Sequence, residues 1–250
     1  MANPQVRPHL HFYPEDSGGV VNEYRQAAHW RTEVDHSQLT PMVVVDGQHY
    51  YVYEPCLLRD GRACVPVRWL TKKGQLFAIA WDLRAVAGRH RGGWVAEEYN
   101  TIEVSCSDLL ISLAAWDSTP VTAQMPQPTQ LIGMCKYKCL ICYSRQAHHL
   151  GSLETHDGQI KPWTYTDPVV GNRWRHIAKG LRVYAFPLWL YCDDTSGNVS
   201  KRWNKHNSFL FSPAGLPQAY GHREYNVHFL CTSNVAEPLE MLDGIVEQLE

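Results

Sequence analysis

Two adjacent carboxylates, Asp193 and Asp194, are the residues of this chain whose types and position best suit chemistry. They follow an apolar run over residues 183–192 that has the length and the aromatic and branched residues of a strand. Carboxylates at the end of a buried strand need compensation, and a pair of them is typical of a site for Mg²⁺ or Mn²⁺. Successive side chains of a strand face opposite ways, so one shared ion requires the backbone to turn at residues 195–198, Thr-Ser-Gly-Asn. The same stretch is also typical of a well-capped turn without any chemistry.

Basic residues surround the acid pair. Between residues 171 and 206, seven Lys or Arg stand against those two acids. This balance suits a phosphate-bearing substrate, and it equally fits a solvated face whose charges neutralise the aspartates. The candidates for nucleic-acid binding are Arg173, Arg175, Lys201, Arg202 and Lys205.

A cysteine cluster offers a second kind of metal chemistry. Cys139, Cys142 and His148 have a spacing that zinc sites use, with His149 as an alternative third ligand. The second pair of ligands that a zinc site of this type needs, 12 or more residues away, is missing from the sequence. We therefore favour a loop or strand with incidental cysteines over a zinc site.

The elements that would position the acids follow in close succession. Apolar runs at 208–212 and 225–232, separated by Pro and Gly turn signals, predict a three-stranded meander together with the first run. Pro238 falls at a first helical position, and apolar residues then recur at helical spacing: Leu239, Leu242, Ile245, Val246 and Leu249. Before the meander, the segment around Trp174 predicts a short helical turn that ends at Gly180. Because no closing signal follows the apolar stripe, we expect that the sequence is truncated at Glu250.

Specific motifs fill this second half: the run Leu188 to Lys205 and the segments His206-Asn207-Ser208, Ala214-Gly215-Leu216-Pro217, Tyr225-Asn226-Val227-His228-Phe229, Thr232-Ser233-Asn234 and Pro238-Leu239-Glu240-Met241-Leu242-Asp243-Gly244-Ile245-Val246. They resemble an uncharacterised family of fungal, transposon-associated proteins. The order of strand with Asp, strand, strand and helix is similar to the opening of the ribonuclease-H-like fold of transposases with Asp/Asp/Glu sites. The resemblance implies DNA as a partner and the nucleus as the location. Since the fold analogy puts the next acid beyond Glu250, we expect that this chain does not cleave DNA alone.

The first half has the period of strands. Five candidates, at 42–45, 49–56, 63–70, 75–83 and 94–104, are separated by turn glycines and predict a small barrel-like β domain. Their rings could form a cage for methyl-lysine, as in chromatin readers. A core role for them is the better interpretation; they are Tyr50, Tyr51, Tyr53, Trp69, Phe77, Trp81, Trp94 and Tyr99.

Composition excludes several classes of protein. The formal net charge of -2 provides no polyelectrolyte argument for nucleic acid across the whole chain. Neither a signal peptide nor a run of about 20 apolar residues is visible, so we expect an intracellular protein without a membrane span. In that setting the eight cysteines are free or metal-binding rather than disulfide-bonded. The sequence does not indicate an oligomeric state.

These observations predict a strand-rich α+β protein in four parts: an N-terminal arm and short helix over 1–37, a β domain over 38–116, a linker with the cysteines over 117–172, and a partial ribonuclease-H-like domain over 173–250. Three functions follow. The first is a transposase-related protein with an incomplete metal site. The second is a non-catalytic module that binds nucleic acid, chromatin or a protein through the β domain and the basic second half. The third is an interaction domain that pairs through the apolar helix.

Overall fold

The computed structural model describes residues 3–86, 93–116, 131–135, 160–161, 163–167, 170–194 and 206–249. The chain forms two compact units. The larger unit comprises Tyr13–Val20 and Ala28–Ala185, and the smaller unit comprises Met1–Phe12, Val21–Ala27 and Phe186–Glu250. The class is mixed α+β and rich in strands, as predicted. Among the described residues, none of the helices has the length and apolar character that crossing a membrane requires.

The larger unit is built on one extended sheet. Its strands are β1 (Glu15–Asp16), β4 (Cys56–Leu58), β5 (Ala63–Lys72), β6 (Gln75–Val86), β7 (Gly93–Ser105), β8 (Leu109–Ile111), β9 (Leu131–Cys135) and β10 (Ile160–Lys161). The order is β10-β9-β7-β6-β5-β4-β8, and β1 pairs with β5. Most neighbours are antiparallel, whereas β1 with β5 and β7 with β9 are parallel. A separate hairpin consists of β2 (Met42–Val45) and β3 (Gln48–Tyr51).

Two tight turns set the register of this unit. Asp46 and Gly47 join β2 to β3 with φ of 49° and 76°, and Lys73 and Gly74 join β5 to β6 with φ of 50° and 77°. Positive φ at both central residues is the geometry of a type I′ hairpin, whose twist matches that of the strands. Both turns lie where the sequence predicts them.

Large side chains fill the core of the larger unit. Trp69 and Tyr51 are each 1% exposed, and Tyr50, Phe77 and Trp81 are also buried. The core interpretation of these five rings is therefore confirmed. Small residues of β5 and β6, such as Cys64 and Ala80, belong to the same buried cluster as Trp69.

The sheet is open, and the prediction of a barrel is wrong for the described strands. A barrel requires the two end strands of the path to pair with each other. Here the end strands β10 and β8 have only two and three residues, which is too short to close a ladder between them. The β2–β3 hairpin forms a separate two-stranded sheet and does not add strands to the larger one.

Helices of the larger unit are short. They are α1 (Leu113–Trp116) and α2 (Arg173–Ala178), with one π-turn at His29–Glu33 and 3-10 turns at His36–Gln38 and Cys106–Asp108. Asn172 caps α2 by accepting a hydrogen bond from the amide of Trp174, and Lys179 ends it in the left-handed conformation, directly before Gly180. The predicted helical turn ending at Gly180 is thus present.

The smaller unit contains the predicted meander. Its strands are β11 (Leu188–Asp194), β12 (Asn207–Pro213) and β13 (His228–Ser233), in the antiparallel order β11-β12-β13. Helix α3 (Gln218–Gly221) and a 3-10 turn (Glu224–Asn226) connect β12 to β13, and two more 3-10 turns lie at Arg7–His9 and Tyr24–Gln26. Helix α4 (Pro238–Leu249) then begins at the predicted proline.

Two expectations about local structure need correction. The stretch expected as one N-terminal helix is divided into separate turns, because Ala27 is extended and ends the first of them. The run before the acid pair is exposed rather than buried, since β11 is an edge strand of the described meander. The larger unit extends to Ala185 and includes α2, where Asn172 and Arg175 bond to Glu54.

Candidate functional site

Four aromatic rings of the larger unit form a continuous cluster, which we call the aromatic cluster: Tyr53, Trp81, Trp163 and Tyr165. The rings of Tyr53 and Tyr165 stack with centroids 4.4 Å apart and planes 14° apart. Trp81 lies against both tyrosines at 5.9 and 5.3 Å. These distances are in the range of mutually attractive aromatic pairs, so the rings support one another.

Tyr53 has an unusual backbone conformation. Its φ is 61°, in the left-handed region that bulky residues rarely adopt. Its amide donates to the carbonyl of Pro66 at 2.8 Å, and its carbonyl accepts from the Thr166 hydroxyl at 2.6 Å. Residues held in such a conformation tend to occur at functional sites, where the surrounding structure maintains them.

A cavity of about 820 Å³ opens beside the aromatic cluster. Its volume falls within the range of ligand sites in proteins, roughly 300–1,000 Å³. Tyr165 lines this cavity and is 40% exposed, and its ring is stacked on Tyr53. The side chains that line the cavity include those of Asp35, His36, Tyr53, Tyr165, Asp167 and Trp174.

The acidic side of the cavity is charged at neutral pH. The hydroxyl and the amide of Ser37 donate to Asp35 at 2.6 and 2.8 Å, and these bonds hold the pKa of Asp35 below its usual value. Asp167 contributes a second carboxylate, which accepts from the amide of Val170. Among the described residues of the lining, the Lys or Arg side chain is that of Arg173, whose guanidinium lies over the Trp174 ring at 5.1 Å. The Arg68 guanidinium also acts on Asp35, so the attraction for a cation comes from the two carboxylates together with the aromatic rings.

His36 is neutral in this environment. Its Nδ1 lies 3.0 Å from the Tyr53 hydroxyl. Burial lowers the pKa of His36 below 6.5, and the nearby Arg68 lowers it further. The ring can therefore exchange a hydrogen bond with Tyr53 without adding positive charge to the cavity.

Arg68 fixes the segment that carries Asp35 and His36. It is 4% exposed and donates to the carbonyl oxygens of Trp30, Arg31 and Val34, the last at 2.6 Å. A buried guanidinium that binds main-chain carbonyls closes the end of the π-turn, whose last carbonyls would otherwise lack donors. Because Arg68 lies on β5, these hydrogen bonds connect the segment that carries Asp35 and His36 to the sheet.

A partly buried ion pair holds the opposite wall. Arg175 donates through Nε and Nη2 to the two carboxylate oxygens of Glu54, at 3.0 and 2.5 Å. Glu54 also accepts from the amide of Asn172 at 2.8 Å, and the Arg175 guanidinium lies 4.7 Å from the centre of the Tyr51 ring. Gly171 passes so close that a Cβ there would lie 2.4 Å from Glu54 Oε1. The start of α2 is therefore anchored to the β domain.

The predicted and observed aromatic residues overlap only in part. Tyr53 and Trp81 were among the predicted rings, and the side chain of Tyr99 lies outside the described part of the structure. Trp163 and Tyr165 were missed, although the alternation Trp-Thr-Tyr-Thr over 163–166 is a signal that could have found them. The exposed ring of the cluster is that of Tyr165, which lies outside the stretch in which a cage was considered.

The acid pair lies in a different place, in the smaller unit. Asp193 and Asp194 both remain in β11, opposite Ser208 and Asn207 of β12. Their side chains therefore face opposite sides of the sheet, and both are exposed. Within the described residues, no group of three or more His, Cys, Asp and Glu side chains could hold a metal ion. The two predicted ligands of Mg²⁺ or Mn²⁺ are neighbours in the sequence, but their carboxylates do not point to one common position.

The other predicted ligands are distributed as follows. Arg173 is exposed at the cavity, whereas Arg175 is engaged with Glu54 and would have to leave it to reach a nucleic acid. Lys201, Arg202 and Lys205 lie outside the described residues, and so do the candidate zinc ligands Cys139, Cys142 and His148.

Comparison with known families gives one match. Residues 42–184 fit a family described as a domain of unknown function, DUF8591, over more than half of the chain. The chain belongs to the DUF8591 family. Neither a curated protein nor a solved structure matches it. The DUF8591 segment contains the aromatic cluster and the Glu54–Arg175 pair, whereas Asp193 and Asp194 follow it in the sequence.

Proposed function

We propose that the larger unit, which contains the DUF8591 segment, is a non-catalytic recognition module that binds a peptide through a positively charged side chain. The observation that carries the proposal is the Tyr165 ring, which is 40% exposed, stacks on Tyr53 and lines a cavity with two carboxylates. Aromatic faces attract cations, and the ionised Asp35 adds attraction of the same sign.

The size of the cavity supports a peptide rather than a lone ion. A volume of about 820 Å³ accommodates several residues beside the charged side chain. Basic protein tails, including those of chromatin, are one source of such a ligand. This choice develops the chromatin or protein alternative from the sequence, with a different set of rings.

Binding to short acetylated peptides tests the proposal. The peptides differ only at a central position, which is lysine, trimethyl-lysine or the neutral norleucine, and binding is followed by NMR shifts of the domain's amides. We expect both lysine forms to bind more tightly than norleucine, and Tyr165→Ala to remove this preference. Cation–π attraction of about 0.5–2 kcal/mol corresponds to a preference of about two- to thirtyfold.

The matched control is Tyr225→Ala, which removes a tyrosine of similar exposure from the smaller unit and should leave binding unchanged. Equal shifts with the lysine and norleucine peptides, or none with any peptide, would contradict the proposal.

A second candidate function rests on the smaller unit. The order β11, β12, β13 and α4, with acids at the end of the first strand, supports the proposal of a ribonuclease-H-like opening in a transposase-related protein. In that proposal DNA is the partner, and Asp193 or Asp194 is the first ligand of Mg²⁺ or Mn²⁺. The opposite orientation of the two acids supports a role for one of them rather than a shared site. We therefore propose that any metal site in this chain is incomplete.

A further inference from the structure

Strand β11 exposes four consecutive apolar side chains to nearly the same extent. Leu188, Trp189, Leu190 and Tyr191 are 39, 41, 39 and 42% exposed. Their side chains alternate between the two faces of the sheet. An uncovered face would expose every second residue, whereas equal exposure on both faces indicates a missing neighbour along the edge. Within the described part of the chain, the open edge of β11 therefore suits the addition of another strand.

The hydrogen-bond pattern indicates which main-chain groups point to that edge. The amide of Ala214 donates to the carbonyl of Pro187 at 2.9 Å, in the same register as the pairs between β11 and β12. Because hydrogen-bonded pairs alternate in an antiparallel ladder, Trp189 and Tyr191 direct their main-chain groups to β12. Leu188, Leu190 and Cys192 then direct theirs outward. Among the described residues, no strand pairs with this edge.

The two edges of this sheet differ in the regularity of their pairing, although β13 also exposes Phe229 and β11 ends in the charged Asp193 and Asp194. The pairing of β13 with β12 shifts register between Phe209 and Leu210 of β12. Strand β13 also carries the polar residues His228, Thr232 and Ser233. Bulges and polar side chains are the usual means by which proteins prevent pairing at an edge. In contrast, β11 pairs regularly over seven residues and has no Lys, Arg or Pro.

We propose that two copies of this chain pair through β11 in antiparallel orientation, centred on Leu190. In this register Leu190 faces the partner's Leu190, Leu188 faces the partner's Cys192, and Trp189 faces the partner's Tyr191. The outward main-chain groups of each strand then meet those of the other. Trp189 and the partner's Tyr191 form a non-hydrogen-bonded pair, in which cross-strand aromatic side chains lie closest.

Charge determines the orientation. Asp193 and Asp194 occupy only one end of β11. Parallel pairing would place them beside the same residues of the partner, and like charges directly opposite are destabilising. Antiparallel pairing sends the two acid pairs to opposite ends of the interface. The edge is thereby complementary to itself, which favours a second copy over an unrelated strand.

Sedimentation of the full chain tests the dimer. We expect a dimer at micromolar concentration, and Leu190→Lys should yield a monomer because it places two ammonium groups together at the twofold axis. Val235→Lys also replaces an apolar side chain with lysine, at a residue that is 86% exposed and outside the strands. This variant should remain dimeric. Circular dichroism confirms that both variants are folded. A monomeric unmodified chain, or a dimer that Leu190→Lys leaves intact, would overturn the proposal.

A crosslink tests the register. In Leu188→Cys the introduced thiol faces the partner's Cys192, and oxidised glutathione converts the two thiols to a disulfide while it is itself reduced to two thiols. Mass spectrometry should find the peptide joining positions 188 and 192 of different chains. The unmodified chain should show no link between Cys192 and the partner's Cys192. That link would indicate parallel pairing and would refute the register.

Discussion

Glu54 and Arg175 form a partly buried ion pair although 121 residues separate them in the sequence. The Glu54 side chain is 2% exposed, and both of its oxygens are occupied by the guanidinium. The pair connects the β domain to the start of α2, and thus fixes the wall of the cavity that contains Trp174. The stability of this wall depends on keeping both charges.

Removing one partner should be costly. Arg175→Met leaves Glu54 buried without its counter-charge, so we expect a loss of about 3–5 kcal/mol in the free energy of unfolding by urea. In the double variant Glu54→Gln with Arg175→Met, the amide oxygen still accepts from Asn172, and we expect a smaller loss. Arg173→Met, an exposed neighbour on α2, should change stability by less than about 0.5 kcal/mol. A double variant less stable than Arg175→Met would show that the carboxylate tolerates burial alone.

The close approach of Gly171 to Glu54 can be tested against a second glycine with the same backbone. Gly171 and Gly180 have φ of 85° and 84°, so alanine at either site costs about 1–2 kcal/mol in the left-handed region. At Gly171 the new Cβ would also meet Glu54 Oε1 at 2.4 Å and Leu113 Cδ2 at 2.8 Å, while nothing lies within 4 Å at Gly180. Urea unfolding should therefore show a greater loss for Gly171→Ala than for Gly180→Ala. Equal losses would mean that the wall moves aside freely.

The contrast between these two glycines marks the limit of what the sequence predicts. Local patterns identified the β11–β12–β13 meander, the start of α4 at Pro238 and the turns at Asp46-Gly47 and Lys73-Gly74, because side-chain period and turn chemistry are properties of neighbouring residues. The same patterns could not show that the amide of Asn172 and the side chain of Arg175 both reach Glu54. Such contacts depend on how distant segments pack.

The candidate site illustrates the same limit. A run of β-branched and aromatic residues predicted that residues 183–192 are buried, but burial depends on neighbours that the run does not contain. Similarly, five of the eight rings considered in residues 42–113 were correctly assigned to the core, while the exposed ring of the candidate site is that of Tyr165. Its value as a binding surface arises from stacking on Tyr53, whose left-handed conformation no local rule would assign to a tyrosine.

His36 should make stability depend on pH. Its folded-state pKa lies below 6.5, so as the pH falls below about 6.5 the unfolded chain takes up a proton that the folded chain does not. The resulting loss of stability is absent above that pH, grows as the pH decreases, and levels off below the folded-state pKa. Burial and the charge of Arg68 lower the pKa of His36, and the charge of Asp35 raises it. Melting temperatures measured from about pH 7.5 to 5 should fall less for His36→Asn than for the unmodified chain.

The control for this measurement is His222→Asn, which changes a solvent-exposed imidazole of the smaller unit and should leave the pH profile unchanged. A His36→Asn profile parallel to that of the unmodified chain would mean that His36 titrates alike in both states.

The acid pair gives the last prediction. Since Asp193 and Asp194 face opposite sides of β11, one ion cannot bind both while the strand keeps its register with Ser208 and Asn207. In calorimetric titration with Mg²⁺ or Mn²⁺, we therefore expect Asp193→Ala and Asp194→Ala to differ, with at most one of them reducing any binding. We also expect no magnesium-dependent nicking of DNA by the 250-residue chain, because a two-metal site needs carboxylates from several elements. Equal loss of binding in both variants would mean that the backbone turns at the acids and that the chain holds a shared ion.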